Sequence, residues 1–158
     1  MVTHSSSAHQ FSKGIDLSKI NEKRGAWSVY GDAKLANLLF TTELNRRLAA
    51  KHADVIATAA HPGYTSTNLQ STPGMGPKWL ASTMNTLFAQ DVTVGVQPLL
   101  YAGLGADIVG NDFCGPKNSG GMYGPAVKCS RSKPAQDAEA AKALWATTAK
   151  LTGFDYLQ

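Results

Sequence analysis

The sequence predicts an α/β fold with helices packed on a parallel sheet, and three observations carry that expectation. The elements run strand, helix, strand, helices, short strand, helix. A short apolar run, residues 54 to 60, follows a long helical pattern and has the character of a strand buried on both faces. Leu, Ile, Val and Phe supply only about a fifth of the residues while alanine and glycine are abundant, a composition suited to close packing of helices on a sheet.

In chain order, residues 2 to 7, Val-Thr-His-Ser-Ser-Ser, read as a short strand ending in a cluster of hydroxyls. Residues 8 to 25 are polar, punctuated by Gly14 and Gly25, and form a long connection. A helical pattern runs from Ser28 to Lys51. Leu35, Leu38 and Leu39 make one apolar row and Phe40, Leu44 and Leu48 a second, so this helix needs cover from two sides. His61-Pro62-Gly63 stops the strand over 54 to 60, and a loop rich in Thr, Ser, Pro and Gly continues to Gly76. Helical segments are expected over 77 to 90 and 92 to 104, a third strand near Gly121-Met122-Tyr123, and an amphipathic helix from Asp137 to Thr152 with Gly153 as its stop signal. At 158 residues and 16.7 kDa the chain has the size of one domain and shows no internal repeat.

Composition excludes several functions. The formal charge is +4 with a pI near 9.1, but the basic residues are scattered, with no stripe and no interleaved aromatics of the kind nucleic acid requires. Cys114 and Cys129 fit no zinc spacing, and neither do His4, His9, His52 and His61, so no metal is expected. No apolar stretch approaches the roughly 20 residues that span a bilayer, and the first residues lack a signal-peptide pattern, so an intracellular, cytoplasmic chain is expected.

Tyr30 and Lys34 are four residues apart at the start of the long helix, so both project from one face. A phenol of ordinary pKa about 10 is a poor acid-base group at neutral pH, and an adjacent ammonium stabilises its phenolate. The segment Tyr30-Gly31-Asp32-Ala33-Lys34 matches the YxxxK motif of the short-chain dehydrogenases/reductases. Residues 2 to 7 resemble that family's strand ending in a serine pair, and residues 61 to 67, His-Pro-Gly-Tyr-Thr-Ser-Thr, resemble its PG-x-x-x-T segment. The three motifs stand in the family's order. The 23 residues between Ser6 and Tyr30, and the wording Tyr-Gly-Asp-Ala-Lys-Leu-Ala-Asn-Leu-Leu-Phe, are similar to the retinol dehydrogenase and protochlorophyllide reductase branch.

The resemblance implies a catalytic set of Ser6, Tyr30 and Lys34. Tyr30 would exchange the proton with the substrate oxygen, and Ser6 would position that oxygen by a hydrogen bond, with Ser5 and Ser7 leaving a one-residue ambiguity. Lys34 would tune Tyr30 and bind the nicotinamide ribose. Pro62, Gly63 and Thr67 would line the nicotinamide of NADP or NAD, with NADP preferred. The implied substrate is a hydrophobic carbonyl or alcohol, walled by residues such as Trp79, Leu80, Met84, Leu87 and Phe88, although the same residues would serve equally to pack a helix. Self-association as a homo-oligomer is left open.

The glycine-rich turn that cradles a dinucleotide pyrophosphate has no counterpart upstream of Ser6. Gly103-Leu104-Gly105 with Gly110 has the wrong spacing and ends a helix. The chain is therefore expected to be the C-terminal portion of a doubly wound, Rossmann-type domain over residues 1 to 158, lacking the glycine-rich half, and a fragment inactive alone. The competing expectation is a non-catalytic short protein acting as a dimerising or regulatory partner through the broad apolar face of the 28 to 51 helix. A serine hydrolase is disfavoured, because no G-x-S-x-G elbow surrounds the serines and no carboxylate is placed to orient His4 or His9.

Overall fold

The computed structural model describes residues 1 to 64 and 91 to 157. Strands β1 (Val2–His4), β2 (Thr58–Ala60), β3 (Phe113–Asn118) and β4 (Tyr123–Lys128) form one sheet in the order β1-β2-β3-β4. β1, β2 and β3 are parallel, with Val2 opposite Thr58, His4 opposite Ala60 and Ala60 opposite Cys114. β4 returns antiparallel to β3. Among the described residues the α-helices are α1 (Ala26–Ala50), α2 (Val92–Gly95), α3 (Gln97–Leu104) and α4 (Ala138–Thr152). This is the α/β layering the sequence predicts.

Alternate residues of a strand face opposite sides of a sheet, and β2 separates the two helical layers in that way. Ala59 packs with Leu35, Leu38 and Leu39 of α1, Phe113, and Ala135 and Ala141 from the C-terminal segment. Ala60, one residue on, packs with Ala102 of α3 and with Cys114. Thr58, on the same side as Ala60, donates to the Ala102 carbonyl at 2.9 Å. α1 and α3 therefore lie on opposite faces. Both connections step across the sheet in the same direction, so the β1-α1-β2 and β2-α3-β3 crossovers have opposite hands, an unusual pairing among parallel strands.

Both leucine rows of α1 are covered within the chain. Leu44 and Leu48 pack with Ala57 and Trp145, and Phe40 stacks on Trp145 at 5.5 Å with planes 6° apart. Phe40, at the edge of the second row, stays 38% exposed despite this stacking. Glu43, buried in α1, is held by Arg46 and Arg47 at 2.6 to 2.8 Å. Arg47 also lies over the Trp145 ring, 4.6 Å from its centroid, and Trp145 Nε1 donates to Asp155. α4 begins and ends on the residues the sequence marks. Asp137 caps the backbone N–H groups of Glu139 and Ala140, and Gly153 closes the helix at φ 70°.

Three elements differ from expectation. β1 ends at His4 because Ser6 caps a 3₁₀ turn over Ser7–Phe11. β2 occupies only Thr58–Ala60, leaving Val55 and Ile56 exposed. The third strand is a hairpin: β4 begins at Tyr123, and the central strand β3 precedes it. β3 reads Phe-Cys-Gly-Pro-Lys-Asn, and glycine and proline hide it from a propensity reading. Pro116 is tolerated because the pairing to β2 has ended at Cys114.

Leu38 is fully buried at the centre of the α1 packing. We expect Leu38→Ala to cost about 2 to 5 kcal/mol, measured as a lowered urea midpoint with an unchanged slope. A loss below about 1 kcal/mol would contradict this core assignment.

Candidate active site

The serine strand and the Tyr30 helix are joined at three points along one strip of α1. Ser5 is buried and its hydroxyl donates to the Lys34 carbonyl at 2.7 Å. Asn37 Nδ2 donates to the His4 carbonyl at 2.9 Å. Gly31 lies so close to the serine turn that a Cβ there would stand 3.1 Å from the Ala8 carbonyl oxygen. Residues 31, 34 and 37 are spaced by three, which puts them on one side of a helix.

These contacts give the serines different hydrogen-bond partners. The Ser5 proton is committed to Lys34. Ser6 instead uses its oxygen as an acceptor, receiving the Ala8 N–H at 3.2 Å as the cap of the 3₁₀ turn. A hydroxyl that accepts in this way retains its own proton for donation. Ser7 is the first residue of the turn.

Tyr30 and Lys34 project from the second and third turns of α1, with Lys34 Nζ 5.6 Å from the Tyr30 ring centroid. Burial holds the Lys34 ammonium below its ordinary pKa. It also lowers the pKa of His4, as does the charge of Lys34. Trp27 meets Tyr30 edge-on at 6.0 Å.

Asp32, inside the YxxxK motif, is a site residue that spacing alone does not reveal. It accepts from Ser12 Oγ at 2.5 Å and pairs with Arg24. Both partners belong to the long connection before α1, so Asp32 fastens that segment against the start of the helix. An acidic residue within the motif, following a basic one at 24, is the signal that could have suggested it.

Pro62 and Gly63 leave β2 at the same sheet edge from which Ser5 and Ser6 leave β1, since Ser5 N–H still donates to the Ala60 carbonyl at 2.8 Å. Gly63 has φ +76°, and a Cβ there would lie 2.4 Å from the Met122 carbonyl oxygen. The Tyr64 N–H donates to that same oxygen at 2.8 Å, clipping the turn to the β3-β4 hairpin. Glycine is required here for both conformation and space. Thr67 and the apolar candidates Trp79, Leu80, Met84, Leu87 and Phe88 lie outside the described residues.

His61 is buried beside this turn. Its Nδ1 accepts from the Gly63 N–H at 3.3 Å, and its ring lies 5.2 Å from that of Phe113. A Cβ on Gly115 would fall 2.0 Å from His61 Nε2, so Gly115 makes the room this ring occupies. Burial, with smaller contributions from His9 and His4, lowers the His61 pKa to about 4. Among the described residues no group of three or more His, Cys, Asp or Glu could hold a metal, and no helix is long and apolar enough to cross a membrane. Cys114 and Cys129 are free thiols.

Comparison with known proteins decides the family. A short chain dehydrogenase/reductase, dpmpH, from Macrophomina phaseolina is 34% identical over 119 residues, covering 75% of this chain and 56% of that protein. Human retinol dehydrogenase 13 is 32% identical over 147 residues, covering 89% of this chain and 41% of the relative. The chain belongs to the short-chain dehydrogenase/reductase family. Its likeness is to the family's C-terminal half, with relatives of the retinol dehydrogenase kind. No family model matches it. A crystal structure of an uncharacterised protein from Mycobacterium paratuberculosis superposes with TM-score 0.75 at 37% identity, covering 98% of this chain and 50% of that one. The chain thus spans about half the length of the proteins it matches.

In the unfolded chain His61 titrates near 6.5, and in the fold near 4. As pH falls the unfolded state takes up the proton first. The stability due to neutral His61 is therefore complete above pH 6.5 and lost as pH falls through its folded pKa, about 3 kcal/mol in all. Thermal unfolding across that window should show a steeper acid loss in the native chain than in His61→Asn. Equal slopes would contradict the assignment.

Proposed function

We propose that this chain carries the catalytic half of an NAD(P)-dependent oxidoreductase that interconverts a carbonyl and an alcohol. The observation that carries the reading is the Ser5 hydroxyl bound to the Lys34 carbonyl. It links the serine turn to the very residue that, with Tyr30, makes up the motif's acid-base pair. The family relationship supports it independently, since the relatives are named dehydrogenases and reductases.

The residues present fit a nicotinamide nucleotide. Gly63 and Pro62 form a turn with no side chain at its left-handed position, and Lys34 offers a half-buried cation on the face it shares with Tyr30. In this reading Lys34 holds the ribose, and Pro62, Gly63 and Thr67 line the nicotinamide. The bound nicotinamide supplies or accepts a hydride at the substrate carbon. Tyr30 gives its phenolic proton to the carbonyl oxygen in reduction and takes the hydroxyl proton in oxidation. Ser6 donates to the same oxygen and stabilises its developing charge. Lys34 keeps its ammonium beside the Tyr30 ring, 5.6 Å from the ring centroid. The substrate is a hydrophobic carbonyl or alcohol, and the cofactor is NADP in preference to NAD.

Two substitutions test this in protein carrying both halves, with decanal and benzaldehyde as probe carbonyls and each nicotinamide cofactor in turn. Tyr30→Phe should lower kcat by about 10²- to 10⁴-fold while cofactor affinity stays nearly intact. Retention of more than about half of the native turnover would remove Tyr30 from the chemistry.

Lys34→Ala should weaken cofactor binding, read as a raised cofactor KM, because the half-buried cation on the face shared with Tyr30 is removed. Unchanged cofactor affinity would contradict the role given to Lys34.

A further inference from the structure

We propose that His9 is the positioning residue for Ser6, a buried strut that fixes the direction of the Ser6 hydroxyl. The inference rests on the reading of Ser6 given above. His9 is fully buried, with Nδ1 2.7 Å from the Ser6 carbonyl oxygen and Nε2 3.2 Å from the Ser132 backbone N–H. A carbonyl only accepts and a backbone N–H only donates. Nδ1 must therefore carry the proton and Nε2 the lone pair, which fixes one neutral tautomer of the ring. Burial, which lowers the His9 pKa, agrees with a neutral ring. The edge of the ring packs on Phe113 at 5.4 Å, with planes 89° apart, which fixes its orientation.

The Ser6 carbonyl also accepts the backbone N–H of His9 at 3.2 Å. That bond belongs to the 3₁₀ turn and ties the turn only to itself. The ring does something different. It connects the Ser6 peptide to Ser132, 123 residues beyond His9 at the start of the last 3₁₀ turn (Lys133–Gln136), and to β3 through Phe113. Ser5 anchors the preceding residue to α1. Ser6 is thus held between two anchors on different parts of the fold, one from each side. A hydroxyl that must meet a substrate oxygen needs this, because an error of about 1 Å in such a group costs as much as 10²-fold in rate.

The test compares His9→Asn and His9→Gln, alone and combined with Ser6→Ala, in protein carrying both halves, with the same probe carbonyls and cofactors. Asn can place a donor near the Nδ1 position but leaves the Ser132 N–H without its partner, whereas Gln reaches toward the Nε2 position and loses the bond to Ser6, so each variant cuts the strut at one end. Both should lower kcat by about 10- to 10²-fold with the KM for the cofactor unchanged. Adding either variant to Ser6→Ala should slow the enzyme no further. Losses that multiply in the double variants, or native turnover in either single variant, would overturn the proposal while leaving Ser6 in place. Native turnover in Ser6→Ala would overturn the reading of Ser6 and this proposal with it. Nitrogen NMR of the native chain gives a second readout that needs no variant to fold: His9 should be neutral and protonated at Nδ1 at neutral pH. A ring protonated at Nε2 would equally overturn the proposal.

Discussion

The buried hydroxyl of Ser5 donates to the Lys34 carbonyl, an oxygen inside a helix that keeps a second lone pair after its backbone bond is made. Residues 29 apart in sequence are thereby joined without water, and an unpaired buried hydroxyl would cost about 1 to 3 kcal/mol. The end of β1 consequently cannot slide along α1. The rest of the strip obeys the same register. Gly31 admits the Ala8 carbonyl one turn earlier, and Asn37 reaches the His4 carbonyl one turn later. A side chain at 31 would push the serine turn away from the helix, and with it Ser6 from the face carrying Tyr30 and Lys34.

How much of this the sequence discloses depends on whether the signal is local. α4 is legible because its limits are set by its own residues, a capping Asp137 and a left-handed Gly153. α1 is legible because its two leucine rows repeat at helical spacing. β3 is not, because its Gly115 answers to the His61 ring, a residue distant in sequence, and its Pro116 is permitted only where the β2 pairing has run out. The YxxxK, serine and PG motifs reveal which residue types are present. The partition of labour among Ser5, Ser6 and Ser7, and the task of Asp32, emerge only when the partners at Lys34, Ala8, Ser12 and Arg24 are seen.

His61 illustrates how packing and electrostatics are coupled at this edge. Gly115 and Gly121 leave the ring its space, Phe113 lies beside it, and burial keeps it neutral. A neutral Nδ1 can accept the Gly63 N–H, whereas a protonated one could not. The left-handed turn at Gly63 is therefore supported from one side by an imidazole in its uncharged form and from the other by the Met122 carbonyl. The conformation of the turn and the protonation state of the histidine are one property.

α3 lies on the opposite face from α1 and meets the sheet through Ala60, Ala102 and Cys114, so it takes no part in placing the candidate groups. Their placement follows from register. Ser6 follows β1 and Pro62-Gly63 follows β2, and the Ser5 N–H bond to the Ala60 carbonyl keeps the two strand ends level. The Ser5 and Asn37 bonds fix α1 against the end of β1, which sets where Tyr30 and Lys34 stand along that helix. The C-terminal ends of parallel strands are where open α/β sheets bind ligands, and the two short bonds from Ser5, one to β2 and one to α1, hold the candidate segments at that end.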